Sequence, residues 1–304
     1  MHVVLQEESL RDGLQNEGRL LSLTEKLELV RMLVVAGVRR LQLGSFVNPR
    51  SVPQVANTDT LAAMVRRQYP DLLCSALVRN EKGLLRAQHS GLDRVSVSVP
   101  VSDTDSRKHV GRPMVEQLEA AIRLITTATA AGVTVQAGIR CAFGCVYEGE
   151  VPLAVVLDTV RQLVAAGAAG INLADTAGLA HPHQVRHLVD QVRNAHPDIE
   201  LALHLHDTRG LGLVNLYAGY EAGVRVFDVA AGGLGSCPFV EGVPGNVATE
   251  DAVHLFQGMG VETGIDLAAL CRVIHRFEIL LERQLPGRTC RTLRGPTIKD
   301  SDLR

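Results

Sequence analysis

The chain has 304 residues, room for one large domain or two modest ones, and its 46% hydrophobic content with a mean hydropathy of +0.12 describes a globular chain with a sizeable core. Lys and Arg total 31 against 33 Asp and Glu, a formal charge of -2 without a basic block, which argues against nucleic acid as a partner; aromatics at 3% leave few stacking platforms. No run reaches the ~18 apolar residues of a membrane helix, and the amino terminus turns acidic at Glu7 and Glu8 without a basic stretch, so neither a membrane partner nor a secretory signal is expected.

In chain order, short apolar or β-branched runs alternate with stretches whose apolar residues fall at helical spacing. The runs at residues 3–7, 40–44, 73–78, 93–99, 134–141, 170–175, 200–206 and 226–230 predict strands. Leu27, Val30, Leu33 and Val34, or Val155, Val156, Val160 and Leu163, mark helices between them. Gly37, Gly91, Gly132, Gly167 and Gly223 stand where each helix must stop before the next strand. Eight such βα units over roughly 250 residues predict an α/β chain folded as a TIM (β/α)8 barrel. A doubly wound open sheet is the rival, but Arg11-Asp12-Gly13-Leu14-Gln15-Asn16 after the first strand is unlike a G-x-G-x-x-G turn. The barrel is expected over residues 1–265, with a C-terminal helical extension and tail over 266–304. Its apolar residues Leu267, Leu270, Ile274, Leu280 and Leu281 allow either a homodimer contact or a cap on the barrel floor. Cys74, Cys141, Cys145, Cys237, Cys271 and Cys290 are too sparse for a disulfide scaffold, so a reduced, cytoplasmic chain is expected.

Barrel chemistry sits at the C-terminal ends of the strands. Those ends carry Arg11 and Asp12, Gln42 and Ser45, Arg140, Asp175, and His204 with His206. In a strand, residues i and i+2 point the same way, so His204-Leu205-His206 can aim two imidazoles at one cation. Asp207 is then a partner of that site or a cap for the next helix. His181-Pro182-His183 enters a helix with no pleat to align its rings and is read as solvent-facing. A glycine-punctuated stretch from Gly232 to Asn246 reads as a ligand loop, and Cys237 within it is either an inert buried thiol or an acid or nucleophile on a mobile loop.

Seven stretches together resemble one family. They are Leu10–Glu17 (LRDGLQNE), Ser45-Phe46-Val47, Cys141-Ala142-Phe143-Gly144-Cys145, Asp175-Thr176, His204–Thr208 (HLHDT), Gly233–Pro238 (GLGSCP) and Gly245–Asp251 (GNVATED). In this order the chain is similar to the 3-hydroxy-3-methylglutaryl-CoA lyases, TIM-barrel metallolyases, from about Val4 to Leu270. The resemblance implies a divalent cofactor, Mg2+ or Mn2+, on Asp12, His204, His206 and Asn246, and an acyl-CoA substrate. It also implies Cys237 as proton donor or acceptor, Arg11 as the stabiliser of an enolate oxygen, and Asp175 near the substrate hydroxyl. Gln15, Ser45 and Arg140 are expected to line the substrate site. The reaction so implied splits the C2–C3 bond of a 3-hydroxy-acyl thioester into acetyl-CoA and a keto acid.

Three positions depart from the family pattern. Gln42 stands where the family carries a catalytic-site Glu, Arg140 where it carries a small residue, and Leu10 where Pro usually precedes Arg11. A negative charge is lost and a positive one gained, and a buried Arg without its carboxylate would cost roughly 3–5 kcal/mol. Arg11 is therefore expected to pair with Glu7, Asp175 or a substrate anion, and the substrate to carry an extra or displaced carboxylate; the alternative is that Arg140 points outward to a helix and Gln42 slows the same reaction. The alternatives for function are a lyase for citramalyl-CoA or a longer branched 3-hydroxyglutaryl-CoA, and a catalytically weakened metal-binding homologue. A condensing enzyme of the isopropylmalate synthase type is disfavoured, since the chain ends soon after the barrel.

Overall fold

Eight parallel strands close into one barrel in sequence order: β1 (Val4–Glu7), β2 (Arg40–Ser45), β3 (Leu73–Leu77), β4 (Arg94–Pro100), β5 (Thr134–Arg140), β6 (Gly170–Asp175), β7 (Glu200–Leu205) and β8 (Val226–Val229). β8 returns to β1 with Val4 opposite Val226 and Glu7 opposite Val229, which removes the sheet edges. The computed structural model describes residues 2–235 and 244–293. Around the barrel run α1 (Leu23–Val35), α2 (Thr58–Gln68), α3 (Glu81–His89), α4 (Asp103–Val110), α5 (Met114–Ala130), α6 (Leu153–Ala165), α7 (Pro182–Ala195), α8 (Gly212–Glu221), α9 (Thr249–Gly258), α10 (Leu267–Leu281) and α11 (Thr289–Leu293). The fold is the expected TIM barrel, and each anticipated strand is present with its ends shifted by a residue or less.

Local chemistry explains the element ends. Ser22 starts α1 with a capping box: its hydroxyl accepts from Glu25 N at 3.2 Å and its own N donates to the Glu25 carboxylate at 2.7 Å. After α1 the chain turns at Gly37, with φ of 100°, where a Cβ would lie 2.1 Å from the Gly264 carbonyl oxygen. Only glycine fits that approach.

Alternation along the strands divides two environments. Leu41, Leu43, Val95, Val135, Ile139, Ile171, Leu173, Leu203 and Phe227 are buried in the apolar layer beneath the helices. The opposite set faces the barrel axis and is polar: Gln6, Arg40, Gln42, Gln136, Asn172, His204 and Asp228 are all buried. Burying polar groups is costly unless they bond to one another. Here Arg40 Nε donates to Gln6 at 2.6 Å and its two terminal nitrogens reach Glu200 at 2.9 and 2.8 Å, while Gln6 Nε2 donates to Asp228 at 3.0 Å. This polar axis replaces the branched aliphatic filling usual in such barrels.

The C-terminal helix α10 is capped by Asp266, whose carboxylate accepts from Ala269 N at 2.7 Å. It packs against α1 and the turn after β8, so Leu270, Ile274, Leu280 and Leu281 are buried along the barrel flank rather than across its floor. A disulfide joins Cys271 of α10 to Cys290 of α11, which corrects the expectation of a fully reduced chain: the fold brings together two thiols 19 residues apart whose spacing carries no signal. Cys74, Cys141 and Cys145 are free and buried.

Candidate active site

The turn after β1 brings the first charged pair to the barrel mouth. The Glu8 carbonyl accepts from the backbone N of Arg11, Asp12 and Gly13 at 3.0, 2.9 and 3.1 Å, winding the turn so that Arg11 and Asp12 face the cavity. From β7, His204 and His206 project into the same space, their Nε2 atoms 3.1 Å apart and each 3.9 Å from Asp12 Oδ2. Asn246 arrives on a segment bridged antiparallel to His206, and its Nδ2 donates to Asp12 Oδ2 and the Leu234 carbonyl, each at 2.9 Å. Gly235 passes so close that a Cβ there would lie 2.5 Å from Asn246 Nδ2.

These groups fit a divalent cation. One ligand atom each from Asp12, His204 and His206 lie within 4.8 Å of one another. Asn246 Oδ1 is buried beside them without a hydrogen-bond partner among the described residues. A buried acceptor left unpaired is costly, and a cation would satisfy it. One carboxylate, one amide oxygen and two imidazoles form a mixed oxygen and nitrogen set able to hold a divalent cation. Asp228, on β8, accepts from His204 Nδ1 at 3.1 Å and from Asn172 at 2.7 Å, holding the ring with Nε2 toward the centre.

The electrostatics of Asp12 and His206 agree. Burial alone would raise the Asp12 pKa, but Arg11 and then the two histidines outweigh it and hold the carboxyl well below its ordinary range. Burial, then His204, push His206 down to about 3, so this ring is neutral with a lone pair to offer at neutral pH. Burial works against charge on His204 too, yet the Asp228 hydrogen bond and Asp12 overcome it and raise that pKa.

Arg11 finds a partner not expected from the sequence. Its Nη2 and Nε lie 2.9 and 3.1 Å from Glu8 Oε2, Nε also donates to Gln42 Oε1, and Nη1 pairs with Asp12. Glu7, the anticipated partner, is committed to the Ser9 hydroxyl, Thr249 and Ala231 N instead, and Asp175 is likewise engaged elsewhere. Burial pushes Glu8 up to about 8 against the opposing pull of Arg11. Glu8, just past β1, thus stands beside Arg11 where Gln42 carries no charge, while Gln42 Nε2 donates to Ser96 at 3.1 Å.

Other anticipated residues divide. Gln15 and Arg140 line the cavity of about 420 Å³ above the cluster, together with Arg11, Asp12, Gln42, His204 and His206. Arg140 borders the cavity and also pairs with Asp105 of α4 at 3.1 Å. Asp175 does not join the cavity lining. Its two oxygens accept from Leu179 N and Ala180 N at 2.8 and 3.0 Å, so it braces the turn after β6, because Asn172, Ala174 and Thr176 take the inward phase. Ser45 is also outside: a register shift after Gln42 turns its hydroxyl to the Leu77 carbonyl at 3.3 Å. Asp207 accepts at 2.7 Å from the N of Gly212, the first residue of α8, and His181 and His183 are exposed. Cys237 lies outside the described residues. Glu8, Asp228 and Arg79 were not anticipated; for Asp228, the signal was a lone acid within the apolar strand β8.

Fold and site define a (β/α)8-barrel enzyme with a candidate divalent-metal centre at the C-terminal mouth. A family model described as HMGL-like matches residues 2–276, and the chain belongs to that family. It is 40% identical over 286 residues to an (R)-citramalyl-CoA lyase of Chloroflexus aurantiacus, covering 91% of this chain and 90% of that protein. It is 35% identical over 291 residues to a 3-hydroxy-3-isohexenylglutaryl-CoA/hydroxymethylglutaryl-CoA lyase of Pseudomonas aeruginosa, covering 96% and 97%. Among solved structures, the HMG-CoA lyase of Bacillus subtilis superposes with a TM-score of 0.93 at 32% identity, over 97% of this chain and 98% of that one. Among the described residues, no helix is long and apolar enough to cross a membrane.

Proposed function

We propose that the protein is a divalent-metal-dependent lyase that splits the C2–C3 bond of a 3-hydroxy-acyl-CoA into acetyl-CoA and a keto acid. The observation that carries this reading is the convergence of Asp12, His204, His206 and Asn246 beside the Arg11 guanidinium. Asp12, His204, His206 and Asn246 would hold Mg2+ or Mn2+, which when bound supplies Lewis acidity toward the substrate oxygens. Scission moves the C2–C3 electron pair onto the thioester, so negative charge grows on the thioester oxygen as the 3-hydroxyl loses its proton. Arg11 is the group suited to meet that charge, and Glu8 and Gln42 fix its orientation in advance. Cys237 is proposed as the acid that protonates the acetyl-CoA carbanion. The lyases for citramalyl-CoA and hydroxymethylglutaryl-CoA among its relatives support an acyl chain bearing a carboxylate. A cytoplasmic location is part of the proposal, and the Cys271–Cys290 bond makes it worth testing.

The test is coupled detection of acetyl-CoA from a panel of 3-hydroxy-acyl-CoA esters with Mg2+ or Mn2+. Release that depends on added metal and vanishes in Asp12→Ala is the expected result. No release from any ester, in protein shown to bind the metal, contradicts the reading.

A further inference from the structure

Gln6 belongs neither to the cavity lining nor to the candidate metal cluster, yet the register of the barrel sets it between the groups that orient both. On one rung of the closed sheet, Arg40 of β2 stands opposite Gln6 of β1, Gln6 opposite Asp228 of β8, and Asp228 opposite His204 of β7. Glu8 follows Gln6 by two residues, the spacing at which side chains share a face. Gln6, Glu8, Arg40 and Asp228 are all buried. Arg40 has only donors to offer, and its Nε donates to Gln6 Oε1 at 2.6 Å. That bond decides which way the amide points. Gln6 Nε2 faces the two acids and donates to Glu8 Oε1 at 2.8 Å and to Asp228 Oδ1 at 3.0 Å, with a longer contact of 3.4 Å to Gln136 Oε1. The second oxygen of each acid then reaches the site: Glu8 Oε2 pairs with Arg11, and Asp228 Oδ2 with His204 Nδ1.

We infer that Gln6 is a positioning residue for the site, its one amide setting Glu8 and Asp228 together and, through them, the Arg11 guanidinium and the His204 ring. The inference rests on the lyase reading for the turnover it predicts and on the metal centre alone for ion binding. The physical reason is a shortage of donors behind the site. Two buried carboxylates accept but do not donate, and nothing else named on this rung gives both of them an N–H. A primary amide supplies one hydrogen to each and brings no charge. A lysine in its place would compete with Arg11 and His204 for the same two acids, and an apolar side chain would leave buried acceptors unpaired. Arg40, held through both terminal nitrogens on Glu200, keeps the amide from turning over.

The test is a pair of double-mutant cycles, one reading Mn2+ affinity by equilibrium dialysis and the other kcat for acetyl-CoA release at saturating Mn2+. Gln6→Met keeps the length of the side chain and loses its hydrogen bonds. It is expected to raise the Mn2+ Kd about threefold to tenfold, less than the loss of a direct partner of a metal ligand, and to lower kcat by a similar factor, with the fold retained by circular dichroism. In protein that already carries Asp228→Ala, the same change should move the Kd by less than about twofold, because no carboxylate is left to hold toward His204. In Glu8→Ala protein it should lower kcat by a smaller factor than in the parent. A Gln6 that only packs the barrel would lower the melting temperature and shift Kd and kcat by the same factor in every background. That result, or an unchanged Kd and kcat in Gln6→Met, overturns the inference. Should Gln6→Met fail to fold, Gln6→Glu keeps the length and the acceptor for Arg40 without the paired N–H donors, and the same cycles decide. Absence of acetyl-CoA release from wild-type protein that binds Mn2+ would instead contradict the lyase reading and leave the Mn2+ cycle to decide this inference.

Discussion

Glu250 offers a sharp test of how the loop after β8 is anchored. Its carboxyl is buried at the start of α9, one oxygen accepting from Gly232 N at 2.9 Å and the other without a partner among the described residues. Burial pushes its pKa from 4.5 up to about 8, with Asp251 and Glu7 adding to the rise against the backbone hydrogen bonds. A carboxyl whose folded pKa is raised contributes full stability below its unfolded pKa, and that contribution is lost as pH climbs toward the folded value. Between about pH 5 and 8 the loss is close to 1.4 kcal/mol per pH unit, or on the order of 4 kcal/mol in all. His206, neutral in the fold, drives stability the other way below its unfolded pKa near 6.5, so the informative window is pH 6.5 to 8.5. Across it the wild-type protein should lose roughly 2 kcal/mol through Glu250, with raised Glu8 adding to the fall. Glu250→Gln keeps an acceptor for Gly232 N and cannot ionise, so its profile should be flatter by that amount. Urea denaturation at several pH values measures both. Identical pH slopes in the two proteins would refute the assignment of a buried, protonated Glu250.

Three further outcomes follow from particular contacts. Asp228→Asn removes the charge that holds His204 Nδ1 and should weaken Mn2+ binding about 10- to 100-fold in equilibrium dialysis, with the fold retained by circular dichroism. Gln42→Glu gives Arg11 a third carboxylate neighbour beside Glu8 and Asp12; the rate of acetyl-CoA release from 3-hydroxy-3-methylglutaryl-CoA should change by less than about tenfold, and a larger gain would show that charge at residue 42 limits the wild-type enzyme. Alkylation of the unfolded, unreduced chain should leave Cys271 and Cys290 unlabelled until a reductant is added; labelling of both at once would contradict the disulfide.

The barrel was readable because its strands are short runs rich in apolar residues, five of them entered through a glycine that ends the preceding helix. The paired histidines and Asp12 were readable because strand ends in a barrel converge. What stayed hidden depends on closure. Gln6 reaches Asp228 across 222 residues of sequence, a contact that only the closed ring of strands creates. Asp175 and Ser45 lie outside the cavity lining because ending a strand is not the same as facing its axis. The inward phase of β6 falls on Asn172 and Ala174, and an irregularity after Gln42 alters the phase of β2. Arg79 reaches the cavity from two residues beyond the end of β3, outside the strand ends that the sequence pattern marks.

The central claim is that Asp12, His204, His206 and Asn246 together hold one divalent ion at the mouth of the barrel. Crystals grown with Mn2+ and measured near the manganese absorption edge test it directly. The account predicts one anomalous peak within about 2.5 Å of the Asp12 carboxylate, His204 Nε2, His206 Nε2 and Asn246 Oδ1. A fully loaded protein with its manganese at any other set of side chains would contradict it.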